Sequence, residues 1–133
     1  MDLDKQNIDR LTKAFFSAFT NKGKQPELKV LYDICIAEAV IIKNTEGASE
    51  IYNLDSFIAP RKALLTNGTL TNFQEYEVSE ETTICRNIAQ RLSHYQKEGI
   101  LNGEPFTGKG SKMLQFIKQG EDWKISSAIW DDE

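Results

Sequence analysis

The sequence predicts an α+β domain in which helices come first and strands follow. Two observations carry that reading. Ile8, Leu11, Phe15, Ala18 and Phe19 recur at helical spacing, while Asp9, Arg10, Lys13 and Ser17 fall elsewhere on the wheel. Towards the other end, two β-rich stretches within Gly108–Ile125 are joined by the short turn Gly120-Glu121-Asp122. The 133 residues contain no repeat, low-complexity run or linker, so residues 1–133 are read as one domain with one core. A chain of that length buries about two thirds of its unfolded surface without metal or disulfide staples.

The elements follow in order. The first helix is expected over about residues 4–21, stopped by Asn21, Gly23 and Pro26. Leu28, Leu31, Tyr32 and Cys35 then give a short second helix starting near Pro26, a favoured first-turn residue. Ala39-Val40-Ile41-Ile42 reads as a strand ending at the polar loop Lys43–Gly47. Asn53 caps a third helix that contains Phe57, Ile58, Leu64 and Leu65 and closes at Asn67-Gly68, with Pro60 expected to kink or restart it. Leu70–Val78 and Trp123–Trp130 are strands. Residues 82–96 carry two signals. Ile84, Ile88, Leu92 and Tyr95 lie at helical spacing, whereas Thr82, Thr83, Ile84 and Ile88 are β-formers.

Composition narrows the function classes. A formal net charge of -4, with 16 basic residues dispersed among 20 acidic ones, leaves no footprint for nucleic acid or an anionic membrane. The opening Met1–Lys5 has neither a basic nor an apolar leader region, no apolar run approaches a membrane span, and the protein is expected to be cytoplasmic. Cys35 and Cys85 sit in apolar stretches without CxxC spacing and are read as two buried free thiols. His94 is the sole histidine, so no metal site is expected, and no cofactor is implied. Gly108-Lys109-Gly110 lacks the pattern and following helix of a phosphate cradle and reads as a bend in a curved strand. Asp131-Asp132-Glu133 reads as a short solvated end.

The order of elements, with Gly108, Gly110 and the Trp123-Lys124-Ile125 ending, resembles the nuclear-transport-factor-2-like (cystatin-like cone) superfamily over nearly the whole chain. That resemblance implies a curved antiparallel sheet wrapped round the long N-terminal helix, with three helices preceding most strands. It decides residues 82–96 in favour of a strand, paired with 106–118 across the Gly99–Pro105 connection. The superfamily includes enzymes, carriers and assembly modules. Ketosteroid isomerase, one of its enzymes, uses a helix-one tyrosine, a neutral aspartic acid and a proton-moving aspartate. The matching positions here hold Phe15 and Phe16, Lys43 and Asn44, and Leu114, so that chemistry is not expected. Arg91-Leu92-Ser93-His94-Tyr95 resembles a strand in the association domain of calcium/calmodulin-dependent protein kinases, where an arginine faces a deep pocket. A second pocket arginine would fall near Leu114, so the polar set is incomplete.

Strand alternation puts Ala89, Arg91, Ser93 and Tyr95 on one face and Ile88, Leu92 and His94 on the other. The first face joins small side chains to a cation and a phenol, a combination suited to orienting a carboxylate. Arg91, Tyr95 and Ser93 are therefore candidate ligand-binding residues. Trp130, sharing a face with Ser126 and Ala128, is a candidate cavity wall. The competing reading pairs Arg91 with an acid on a neighbouring strand. No residue is assigned a catalytic role. Two functions stand: small-organic-molecule binding in a cone-shaped pocket, with lyase- or isomerase-like activity as its catalytic extension, or a non-catalytic dimeric interaction or assembly module. A homodimer using one sheet face is expected in either case.

Overall fold

A computed structural model describes residues 2–133; Met1 lies outside the described residues. Three helices, α1 (Leu3–Ser17), α2 (Val30–Ile34) and α3 (Leu54–Thr66), pack on one face of a six-stranded sheet. Its strands are β1 (Cys35–Thr45), β2 (Ala48–Tyr52), β3 (Leu70–Cys85), β4 (Ile88–Leu101), β5 (Glu104–Gln119) and β6 (Asp122–Asp132), in the order β2-β1-β6-β5-β4-β3. All neighbours are antiparallel except β1 and β6, which run parallel.

α1 starts where Asp2 accepts hydrogen bonds from the Asp4 and Lys5 amides, satisfying two of the orphan donors of the first turn. Its apolar stripe, Ile8, Leu11, Phe15 and Phe16, is buried against the sheet. Each large side chain so removed from water contributes roughly 1.5–3 kcal/mol. The helix ends earlier than the stop signals suggest because Asn21 has another task. Its amide bonds the Phe73 carbonyl, and its side chain donates to the Leu65 and Leu70 carbonyls and accepts from the Phe73 amide, tying the loop after α1 to α3 and β3. α3 has the expected Asn53 cap, reinforced by Ser56 in a reciprocal capping box. It runs through Pro60 without restarting, since Pro60 and Ser56 lie on the exposed side, where the carbonyl that proline cannot serve is open to solvent.

Four expectations need correction. Residues 82–96 are extended but do not form one strand: a two-residue turn at Arg86-Asn87 divides them between β3 and β4, whose ends pair at Cys85 and Ile88. Neither residue is a strong hairpin signal, and Arg86 adopts a positive φ of 56° that the sequence does not advertise. The Lys43–Gly47 loop is mostly strand, because Glu46 and Gly47, both at positive φ, turn β1 into the unforeseen β2. Cys35 begins β1 instead of ending α2. Cys85 is exposed at the hairpin end, while Cys35 is buried. The β4–β5 pairing stands as expected, although its turn is the tighter Asn102-Gly103.

Candidate functional site

Three inward rows of side chains cross the sheet under the helices. The first runs Lys43, Trp130, Lys112, Ser93 and Glu80; the second runs Asp132, Gly110, Tyr95 and Glu77; the third holds Gly108, Lys97 and Glu75. Above them lies a cavity of about 490 Å³. Phe15 from α1, Phe19 from the turn after it, Phe57 and Leu64 from α3, and Phe73 and Phe106 from the sheet supply its apolar walls.

The glycines of β5 explain how charged side chains reach the cavity floor. A Cβ on Gly110 would stand 2.6 Å from the Asp131 carbonyl oxygen and collide with the Tyr95 phenol; one on Gly108 would press on Lys97. With those positions empty, Tyr95 and Lys97 lie across β5 and meet the same carboxylate on β6. The Tyr95 hydroxyl donates to Asp132, and Lys97 Nζ approaches its other oxygen at 2.9 Å. Burial pushes the Asp132 carboxyl up, but the bonds from Tyr95 and Lys97 outweigh it and hold the group below the usual carboxylate range. Burial, with Asp132 beside it, raises the Tyr95 phenol, which stays protonated. The final acidic run is therefore not simply a solvated end, because Asp132 turns inward.

Lys112 is the most enclosed cation of the floor, only 3% exposed. It pairs with Glu75 at 3.0 Å, and its ammonium sits 4.2 Å from the ring centroids of both Tyr95 and Trp130. Burial pushes its ammonium below the ordinary 10.5, against the opposing pull of Glu75 and Asp132. Arg61 on α3 also lines the cavity. It lies 3.8 Å over the Phe57 ring and bonds the Phe57 carbonyl. Lys43 lines the cavity from the end of β1. Neither Arg61 nor Lys43 forms a salt bridge among the described residues.

The four sequence candidates separate. The expected β4 alternation is present: Ala89, Arg91, Ser93 and Tyr95 are buried, and Ile88 and His94 are exposed. Trp130 is a cavity wall, though Ser126 is not on its face. A bulge at Ser126 breaks the β5–β6 register, so that Ile125, Ala128 and Trp130 all point inward. Tyr95 does not line the cavity; its hydroxyl bonds Asp132 and its ring lies 4.2 Å from the Lys112 ammonium, both of them residues of the floor. Arg91 and Ser93 lie outside the cavity. Arg91 Nε and Nη2 grip Glu77 at 3.0 and 2.5 Å, its Nη1 meets Asp9 of α1 at 2.6 Å, and Glu80 stands at 3.3 Å. Ser93 donates to the same Glu77. The carboxylates that face Arg91 are thus the protein's own, and they fasten α1 to the sheet.

Sequence reasoning missed Lys43, Arg61, Glu75, Lys97, Lys112 and Asp132. A signal existed for two of them. Lys112 shares parity with the apolar Leu114 and Phe116, and Asp132 shares it with Trp130. A charge on the apolar side of a strand calls for a partner. Leu114 is completely buried and pairs with Arg91 across β4 and β5. His94 is exposed and bonded to Ser111. Among the described residues no group of three or more His, Cys, Asp or Glu is placed to hold a metal, and no helix is long and apolar enough to cross a membrane.

No protein-family model matches the chain, and no curated protein matches its sequence. Solved structures do resemble it. A nuclear-transport-factor-2-like protein from Cytophaga hutchinsonii is 12% identical, with a TM-score of 0.75 over 100% of both chains. An uncharacterised Caulobacter vibrioides protein with a cystatin-like fold is 16% identical, with a TM-score of 0.74 over 97% of this chain and 89% of that one. A protein named as a Ca/calmodulin-dependent kinase II association domain, from Exiguobacterium sibiricum, is 8% identical, with a TM-score of 0.74 over 100% and 95%. At such identities the likeness speaks for architecture, and on that architecture the chain has the nuclear-transport-factor-2-like, cystatin-like cone fold.

Proposed function

We infer that the protein binds a small organic anion with an apolar or aromatic body in its cone cavity. The observation that carries this reading is the charge of the lining: Lys43, Arg61, Lys97 and Lys112 face only Glu75 and Asp132, in a protein whose net charge is -4. Lys97 and Lys112 are each matched by a carboxylate, so Arg61 and Lys43 supply the surplus. A guanidinium held in place by a ring and a carbonyl is ready to bind a carboxylate with charge-assisted bonds. Trp130 and the phenylalanines suit the ligand's body. Lyase- or isomerase-like proton transfer would fall to Glu75 or Asp132. Asp132 is held acidic by its two donors and is a weak base, which favours binding over that chemistry.

Trp130 lines the cavity and Trp123 does not, so indole fluorescence tests the reading. Titration with benzoate and naphthoate is expected to change emission and raise the melting temperature, while the matching neutral amides do neither. Arg61→Met is expected to weaken binding about ten- to a hundredfold, the loss of a charge-assisted interaction of about 1.5–3 kcal/mol. Equal stabilisation by acid and amide would overturn the anion reading.

A second reading, the dimeric interaction module, is favoured by the opposite face. Ile42, Ile129, Met113 and Leu92 form an apolar row across four adjacent strands, with Met113 56% and Ile129 42% exposed. A row of this kind on a sheet face suits a symmetric partner. The two readings use opposite faces and are compatible.

A further inference from the structure

Lys112 stands out within the cavity. Its neighbours on the inward side of β5, Leu114 and Phe116, are apolar and buried, and an aliphatic residue at 112 would continue that face. A buried ion pair is commonly no more stabilising than apolar side chains of the same volume. The fold therefore gains little from a lysine here. What the position does gain is an amine that opens on an apolar cavity, has a carboxylate at 3.0 Å to exchange a proton with, and is screened from bulk water. Lys97 is more open and shares Asp132 with Tyr95, and Lys43 has no acid beside it among the described residues.

We propose that Lys112 is a carbonyl-capturing amine, and that the cavity takes small organic acids bearing an aldehyde or ketone, which Lys112 holds as an iminium. This rests on the anion-binding reading of the same cavity and adds the reactive group of the ligand. Glu75 first takes a proton from the Lys112 ammonium, leaving a free amine and a carboxylic acid. The nitrogen lone pair forms a bond to the carbonyl carbon as the C=O π pair moves to oxygen, and a proton passes from nitrogen to that oxygen, giving the carbinolamine. Glu75 then returns its proton to the hydroxyl, which leaves as water while the nitrogen lone pair closes the C=N bond. One ammonium and one carbonyl become one iminium and one water, with Glu75 ionised at both ends of the sequence. The iminium keeps the positive charge between the Tyr95 and Trp130 rings, where the ammonium lay. Burial, which favours the neutral amine, assists the first step.

The experiment uses 4-carboxybenzaldehyde with sodium cyanoborohydride at neutral pH on the folded full chain, followed by peptide mapping. The expected result is an adduct on Lys112 before any on exposed lysines such as Lys13 and Lys109, and its loss in Lys112→Met. Adducts on exposed lysines with Lys112 unmodified in the wild type would overturn the proposal, and this readout does not depend on the variant folding. Terephthalate, which lacks the aldehyde, separates the two claims by thermal shift. If it stabilises the protein while Lys112 stays unlabelled, the anion reading stands and the amine proposal falls. If it gives no shift and Lys112 is unlabelled, both fall. A labelled Lys112 without any terephthalate shift keeps the amine and removes the anion preference.

Discussion

At the scale of single residues the cone is shaped as much by missing side chains as by present ones. Gly110 is required for space, since its strand conformation is open to any residue. Gly110→Ala is expected to cost about 1–3 kcal/mol in urea unfolding, because the new methyl meets the Asp131 carbonyl and the Tyr95 phenol, neither of which has room to retreat. Gly108→Ala should cost less, as its nearest neighbour is the Lys97 stem at 3.0 Å, the flexible part of a long side chain. Equal losses in the two variants would refute this account. The cysteines differ in the same local way. Burial pushes the Cys35 thiol up to about 12, so thiolate is scarce at neutral pH, while Cys85 is exposed. A disulfide exchange reagent is expected to titrate one thiol quickly in the native protein and the second only on unfolding.

At the scale of elements, one bulge decides what Arg91 does. Glu77 and Glu80 are three apart, so strict alternation would send them to opposite faces. The register shift between Glu77 and Ser79 inserts a residue, and both acids then point inward at Arg91. Asp9 joins from α1, and Lys5 braces Asp9 and Glu80 at 2.8 and 3.2 Å. Arg91→Met should therefore destabilise the fold by about 2–3 kcal/mol, less than for a fully enclosed pair because Asp9 is half-exposed. Ligand affinity per folded molecule should hardly change. The pH dependence has a definite sign. For Asp9, burial raises the carboxyl but Lys5 and Arg91 prevail, and for Glu80, burial is outweighed by Thr82 and Lys5, so both lie below their ordinary 3.8 and 4.5. A carboxylate depressed in the folded state adds stability above its unfolded value and loses it as pH falls through the folded one. The unfolding free energy is thus expected to drop as pH is lowered past about 4.5, with a flatter slope in Arg91→Met. Parallel slopes for the two proteins would remove this cluster from the acid response.

For the whole molecule, the two faces of one sheet are built differently. Helices and charged rows occupy the inner face; the outer face leaves the row Ile42, Ile129, Met113 and Leu92 uncovered by any helix. If that row joins two copies, light scattering at micromolar concentration gives a dimer, and Met113→Glu gives a monomer with its ligand response intact, since symmetry places the new charge twice in one interface. A monomeric wild type would reject the dimer. A dimer unaffected by the charge would move the interface elsewhere.

The α+β class, the amphipathic α1 and the Asn53 cap were legible in the sequence, because each depends on neighbours within about one turn or one strand; the β4 alternation followed only once the resemblance had made that segment a strand. Position along the chain could not reveal the turn at Arg86-Asn87 or the bulges at Val78 and Ser126, each of which reverses direction or parity by one residue. Those local breaks decide which acids meet Arg91 and which aromatics face inward. The pairing of the charged cavity floor belongs to tertiary structure: Glu75, Lys97, Lys112 and Asp132 come from β3, β4, β5 and β6, and only closure of the sheet sets them side by side. Arg91 shows the division most plainly. Its face was readable from alternation, but whether it met a ligand or the protein's own carboxylates depended on the bulge that turns Glu77 and Glu80 inward and on Asp9, 82 residues away in sequence, arriving with α1.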